Sequence, residues 1–539
     1  MASQRSMFTA SRIQAFTYLL AVCPFSIAFL VFINSSISFV VTDLIGLRDG
    51  EGDAVGTLGF ADELLALAAC PLWGVLSDRI GVRQVCTAGY TIVAVALVMF
   101  VQARNVYPQL LLGRLLFSVG GAAVSTMVTA ILPVVTGGGS RSELEDESEP
   151  RTTVAPSSRL AGFVGMCAGC GALLSLLVLL PLPAHFQQWG LSPAKAIQYS
   201  YYMAAALSLV VSGCCFVGLK DLPGEDGKKW ASLWTSLRTG SRSFESRKNF
   251  YSMLISRFPY LKQFGSAINL GFRNREILIG YLGGFVARAS SVGISLFIPL
   301  FVNSYYRKSG LCDGQSTKGA NPEDIKKSCP KAYVLASILT GVSQLIALIA
   351  APAFGYLSEK SRRYHLPLLV ACLAGVVGYL MLALAPSPEF KGESGNPGIF
   401  VVMALVGFSQ IGAIVCSLSV LSNGILSLTN SVKAAEIIAG NSRASSTAPE
   451  FNEQQPLLAA DRKQPQPSDL KGSIAGVYSL FGGAGILVLT KLGGLLFDDL
   501  SSGAPFYIMA GFNGLLVIVC VVSGLVASQW RLDYEFAAQ

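Results

Sequence analysis

Twelve runs of predominantly apolar residues recur along this chain, each near or above the ~20 residues that a helix needs to cross a bilayer. They fall at about 15–41, 55–76, 86–103, 108–134, 159–182, 199–219, 277–303, 332–356, 366–386, 397–427, 472–496 and 505–528, with Gly, Pro or charged stretches between them. Backbone groups in hydrocarbon must satisfy one another, so runs of this length predict helices and an all-α membrane protein. The first run is too long for the apolar part of a signal peptide and has no small-residue cleavage site after it, so it reads as a retained first span. Composition agrees: with 52% hydrophobic and 13% charged residues, the chain is too apolar for a soluble enzyme of 539 residues.

The net charge of +8 reflects loops and gives no support to a nucleic-acid partner. Residues 220–276 hold eleven Lys and Arg against five Asp and Glu. Arg79, Arg83, Lys360, Arg362 and Arg363 fall in loops on the same side, which therefore reads as cytoplasmic, as do the termini 1–14 and 529–539. The opposite loop 304–331 is also basic, but long loops obey this rule weakly. Six runs precede the 220–276 linker and six follow it, giving membrane halves 15–219 and 277–528. Insertions 137–158 and 428–470 are rich in Ser, Glu, Pro, Gln and Ala without apolar periodicity, and are expected to be disordered. In the linker, Trp230, Leu233, Trp234 and Leu237 share a helical face near Lys228, Lys229 and Arg238. That pattern suits a helix on an anionic inner leaflet, or equally one packed on the cytoplasmic face of the bundle.

The two halves repeat a motif. "GVLSDRIGVR" begins at Gly74 after the second run, and "GYLSEKSRRY" begins at Gly355 after the eighth. A glycine lets helix ends meet closely, the acid can accept from a neighbouring helix N-terminus or an Arg, and the bases anchor at headgroups. Together these parts make a clasp between helices that can open and close.

These residues resemble the signature of the major facilitator superfamily between its second and third spans, a Gly-x-Leu-x-Asp-Arg-x-Gly-Arg-Arg pattern. Gly74, Leu76, Asp78, Arg79, Gly81 and Arg83 match it, with Val82 in place of one base. The second copy keeps Gly355, Leu357, Glu359 and Lys360 but has Arg362 where the second glycine would stand. The resemblance covers nearly the whole chain outside the insertions. It implies two six-helix bundles with a midplane site and alternating-access transport, and says almost nothing about substrate. The long insertions resemble those of fungal, vacuolar-type members.

No Walker A loop, zinc spacing or nucleophile elbow is present, and the chain has two histidines. An enzyme, a metal site or a cofactor is therefore not expected. Cys167 and Cys170 stand among Gly and Ala and read as small packing residues. Arg288 is the exception in the apolar pattern, since no other charge lies within eleven residues on either side. At 1.5 Å per residue it is about 17 Å deep, too far for snorkelling, so it should face a cavity or a partner. Tyr281, Gly284, Arg288, Ser291 and Ser295 follow helical spacing and predict one polar, cavity-lining stripe. Asp62 and Glu63 of the second run lie at matching depth. One of the two should face Arg288, and Glu63 is favoured because Gly56, Gly59, Ala66 and Cys70 share its side.

Arg114, with Ser118, Gly121 and Ser125, resembles the family's arginine motif of the fourth span, although Arg114 is shallow enough to snorkel. Asn34, and Gln410 with Ser417, are further polar positions for a ligand or an interhelical hydrogen bond.

The combined reading is a secondary transporter of a small anionic or carboxylate-bearing solute, in which Arg288 pairs alternately with Glu63 and the solute while Glu63, or Asp62 beside it, carries a proton. A fixed Arg288–Glu63 bridge that staples the halves is the competing reading of the pair. A non-transporting receptor or scaffold of the same fold is one alternative function. A broad-specificity drug exporter is another, although the span-five stretch "GFVGMCAGCG" lacks the Gly-Pro of the exporter motif. Expected partners are membrane lipids, the solute and protons. Glu453 with Leu457 and Leu458 matches an acidic dileucine pattern read by sorting adaptors, which suits a vacuolar or lysosomal membrane; the plasma membrane is the alternative address. Cys312 and Cys329, in the outer loop, are expected to close a disulfide in an oxidising compartment.

Overall fold

The computed structural model describes residues 10–45, 51–136, 156–179, 181–222, 259–309, 330–361, 365–390, 395–444 and 470–537. Among these residues every regular element is helical. Twelve helices are long and apolar enough to cross a membrane. Spans 1 to 6 are Arg12–Asn34, Thr57–Ile80, Val82–Phe100, Val106–Val135, Ser158–Leu179 and Ala194–Gly218. Spans 7 to 12 are Arg275–Tyr306, Ile338–Lys360, Leu366–Ala383, Ile399–Leu428, Lys471–Phe497 and Ala504–Gly524.

Local chemistry sets several of the boundaries. Ser11 Oγ accepts from the Gln14 amide at 3.3 Å while Gln14 Oε1 accepts from the Ser11 amide at 2.8 Å, a reciprocal cap that starts span 1. Asn274 caps span 7 by accepting from the amides of Glu276 and Ile277. Between spans 2 and 3 the chain turns at Gly81 with φ of 94°, a conformation that favours glycine and gives the motif's second glycine its reason.

The halves share one packing plan. Span 1 lies on span 5 as span 7 lies on span 11, and span 3 contacts spans 4 and 6 as span 9 contacts spans 10 and 12. Between the halves, span 2 runs along span 11 and span 5 along span 8. Both seams close on glycine. A Cβ on Gly74 would stand 2.3 Å from the Gly472 carbonyl oxygen, and one on Gly162 would stand 2.9 Å from Gly355 Cα. Backbone meets backbone there, which only small residues permit.

Two segments differ from the sequence expectation. The helix of span 10 runs Ile399–Ala444, so residues 428–444 continue it instead of entering disorder; Ala434, Ala435, Glu436 and Ala439 are good helix formers. The linker contains a helix, Pro259–Arg273, where the apolar pattern had marked no element. It packs on spans 2, 7 and 11, with Gly271 under the Tyr281 ring. The expected linker helix around Trp230 and Leu237 lies outside the described residues.

Candidate functional site

At the motif end, Asp78 of span 2 reaches the first turn of span 11. Its carboxylate accepts from the Gly472 amide at 2.6 Å, the Ser473 amide at 2.7 Å and the Ser473 hydroxyl. A carboxylate on unpaired N-terminal amides gains both hydrogen bonds and the helix dipole. In the second copy, Glu359 of span 8 pairs with Arg159 of span 5. Each motif acid thus ties one half to the other. The bases act locally: Arg79 Nε donates to Gln263 Oε1 of the linker helix at 3.3 Å, and Arg83 Nε donates to the Phe216 carbonyl at 2.7 Å while its guanidinium lies 4.1 Å from the Phe216 ring centroid. Lys360 is exposed at its helix end.

Between the halves lies a cavity of about 90 Å³, walled by spans 1, 2, 3, 4, 7 and 11. Asp62, Glu63 and Arg288 all line it. The Arg288 side chain lies across Gly482 of span 11, where a Cβ would come within 2.7 Å of Arg288 Cγ. That bare stretch of span 11 lets a residue of span 7 enter the cavity. Asp62 is paired within its own half: Arg114 Nη2 donates to Asp62 Oδ2 at 2.5 Å and also to Asn34 Oδ1, and Ser118 Oγ donates to the Asp62 carbonyl at 2.8 Å. Among the described residues, neither Glu63 nor Arg288 makes a hydrogen bond or an ion pair within 4 Å.

The rest of the wall is apolar or already committed. Phe25, Phe29, Leu30, Phe117 and Ile486 give it an oily side. Of four lining serines, Ser26 donates to the Cys23 carbonyl, Ser118 to that of Asp62 and Ser125 to that of Ala122. Ser479 is buried with no partner.

Several sequence expectations need correction. Arg114 does not snorkel: its side chain is 4% exposed and bound to Asp62. The depth match between Asp62 and Arg114 was readable in the sequence, but not which way either helix faces. Span 7 does not present one polar stripe to the cavity. Of that stripe only Arg288 lines it. Tyr281 is buried, donates to the Ala267 carbonyl of the linker helix at 3.3 Å and stacks on Phe481. Gly284 faces the Tyr478 ring. Ser291 accepts from Gln410 Nε2 at 3.0 Å, and Gln410 Oε1 accepts from Gln344 Nε2 at 3.2 Å, a cluster held inside the second half. Asn34 joins Arg114 and does not line the cavity. Glu63 and Arg288 share the cavity without forming the expected pair. Sequence reasoning missed the aromatic wall of span 1 and the Ser479–Gly483–Ile486 face of span 11, whose four-and-three spacing is the one available signal. Cys312, Cys329, Glu453, Leu457 and Leu458 lie outside the described residues.

The profile of the Major Facilitator Superfamily matches residues 24–434. The chain belongs to the major facilitator superfamily. This facilitator is 21% identical over 468 residues to the magnetosome protein MamH of Paramagnetospirillum magneticum (strain ATCC 700264 / AMB-1), which spans 84% of this chain and 79% of MamH. Its fold matches that of the proton:xylose symporter XylE with a TM-score of 0.55 at 12% identity over 94% of each chain. The fucose:proton symporter FucP of E. coli matches at 0.55 and 13% identity, over 94% of this chain and 99% of FucP. The human organic anion transporter MFSD10 matches at 0.51 and 13% identity, with the same coverage. This facilitator is a multi-pass membrane protein of a family of secondary transporters, not of enzymes.

Proposed function

We propose that this facilitator carries a small carboxylate-bearing solute, seated on Arg288 and coupled to protonation of Glu63. The observation behind this reading is the pair of opposite charges from opposite halves that line one cavity and remain unpaired. A guanidinium offers a planar fork to a carboxylate, and in a low-dielectric cavity that contact is strong. Asp62 is ion-paired with Arg114 inside the first half, so Glu63 is the acid that shares the cavity with Arg288 and has no partner of its own among the described residues. Ionised, Glu63 compensates Arg288 across the cavity; protonated, it leaves the cation to an incoming anion, so proton and anion load together. The basic loops make the motif end cytoplasmic. Organic anions and protons also figure in the activities named for MFSD10, XylE and FucP, although likeness to those proteins is one of fold.

Uptake of labelled mono- and dicarboxylates into proteoliposomes under an imposed pH gradient tests the reading. Uptake should be saturable and driven by an inward proton gradient, Arg288→Lys should weaken solute binding, and Glu63→Gln should bind solute but lose the gradient effect. Full gradient-driven uptake by Glu63→Gln would end the coupling role, and failure to take up any carboxylate would end the reading as a whole. For address, the dileucine pattern at Glu453, Leu457 and Leu458 supports a vacuolar or lysosomal membrane; an unchanged location after Leu457→Ala and Leu458→Ala would remove that support.

A further inference from the structure

We propose that the cavity is built for a zwitterion, an α-amino acid with an apolar side chain, whose carboxylate sits on Arg288 and whose ammonium sits on Glu63. The proposal rests on the reading of Arg288 as the carboxylate seat; in it the ammonium of the solute takes the place on Glu63 that the proton takes when an amine-free anion loads.

Three features converge on it. The first is the charge left over. With Asp62 bound to Arg114 at 2.5 Å, the cavity retains one cation and one acid that do not meet. A simple anion answers only Arg288, and leaves Glu63 either repelling it or protonated. A molecule carrying both signs satisfies both groups, and a buried charge left without a partner is costly. The second feature is the shortage of neutral hydrogen-bonding groups. Three of the four lining serines already donate to backbone carbonyls, which leaves Ser479. A polyhydroxylated solute would bury hydroxyls that the wall does not answer. The third is shape and polarity. Beside the charges stand Phe25, Phe29 and Phe117, with the Phe25 and Phe29 ring centroids 5.8 Å apart, a surface for an aliphatic or aromatic side chain. A volume of about 90 Å³ holds on the order of six to nine waters, the bulk of a small amino acid.

A consequence separates this proposal from simple anion binding. Proton and ammonium compete for Glu63, so acidification should weaken binding of the zwitterion and strengthen binding of the same molecule without its amine. The ionisable groups around Glu63 are Asp62 and Cys70 of its own span, Arg114 on Asp62, Arg288 of span 7 and Tyr90 of span 3, whose hydroxyl donates to the Val22 carbonyl at 2.8 Å. Spans 1 and 11 bring no ionisable group to the cavity.

The test uses the purified full chain in detergent, with thermal unfolding and calorimetric titration against L-leucine, L-phenylalanine, 4-methylpentanoate, 3-phenylpropanoate and 3-methylbutylamine. We expect at least one amino acid to raise the unfolding midpoint and to bind about tenfold or more tighter than its truncated partners at neutral pH. Glu63→Gln should level the amino acid with its amine-free analogue, and Glu63→Asp should keep the preference. Equal or tighter binding of the amine-free acid by the wild-type chain would overturn the zwitterion while leaving the carboxylate reading intact. Binding of the amine without either acid would overturn both. No response to any of the five compounds would overturn the amino-acid assignment, and carboxylate uptake in proteoliposomes would then decide the broader reading separately.

Discussion

Asp62 and Glu63 are neighbours in sequence, and the structure gives them different work. One helical step turns a side chain by about 100°, so Asp62 meets Arg114 inside the first half while Glu63 looks across to Arg288 of the second. The Arg114–Asp62 pair is buried, and such a pair contributes little compared with apolar replacements but is costly to break on one side. Arg114→Met should therefore destabilise the chain by about 3–5 kcal/mol, seen as a lower unfolding midpoint in detergent. Adding Asp62→Asn to Arg114→Met should recover most of the loss, because no uncompensated charge remains. A single Arg114→Met variant as stable as wild type would show that Asp62 finds its counter-charge elsewhere. In the sequence, Arg288 was legible as a cavity residue from burial depth alone. Arg114 was not legible as a buried one, because depth near a span's end is compatible with snorkelling as well as with pairing.

At the scale of elements, the clasp rests on the fit between a helix end and a carboxylate. The first turn of span 11 has free amides, and Asp78 supplies the charge that answers them. Asp78→Asn keeps an acceptor and the shape but removes the charge, which weakens the clasp by about 1 kcal/mol. The opening should appear at Ser77, 1% exposed beside Gly472. A cysteine at position 77, traced by mass spectrometry after treatment with a maleimide, should label faster in the Asp78→Asn background; equal rates in both would mean that Asp78 does not hold this end shut. The motif and its acid were visible in the sequence because they repeat. The docked helix Pro259–Arg273 was not, since a linker helix declares itself only through the surface it covers.

For the whole molecule, transport by alternating access requires the seams between the halves to part. Span 5 and span 8 are near enough for a covalent stop. A Cβ on Gly165 would lie 3.6 Å from Ala351 Cβ, inside the range of about 3.5–4.5 Å that a disulfide needs. Oxidised Gly165→Cys/Ala351→Cys protein should lose solute uptake, and dithiothreitol should restore it. Undiminished uptake by fully cross-linked protein would show that this seam stays closed throughout the cycle.

The sequence by itself determined the number of spans, their division into halves and the basic loops, because hydrophobic length and loop charge are local properties that a bilayer reads segment by segment. It also carried the motif, whose glycines and acids are chemically specific in the order they occur. Only the tertiary structure decided which charges pair, which stripe of span 7 reaches the cavity and which serines are already spent. Those outcomes depend on how each helix is rotated against its neighbours, and a rotation of a fraction of a turn exchanges Asp62 for Glu63 without altering the apolar pattern from which the span is recognised.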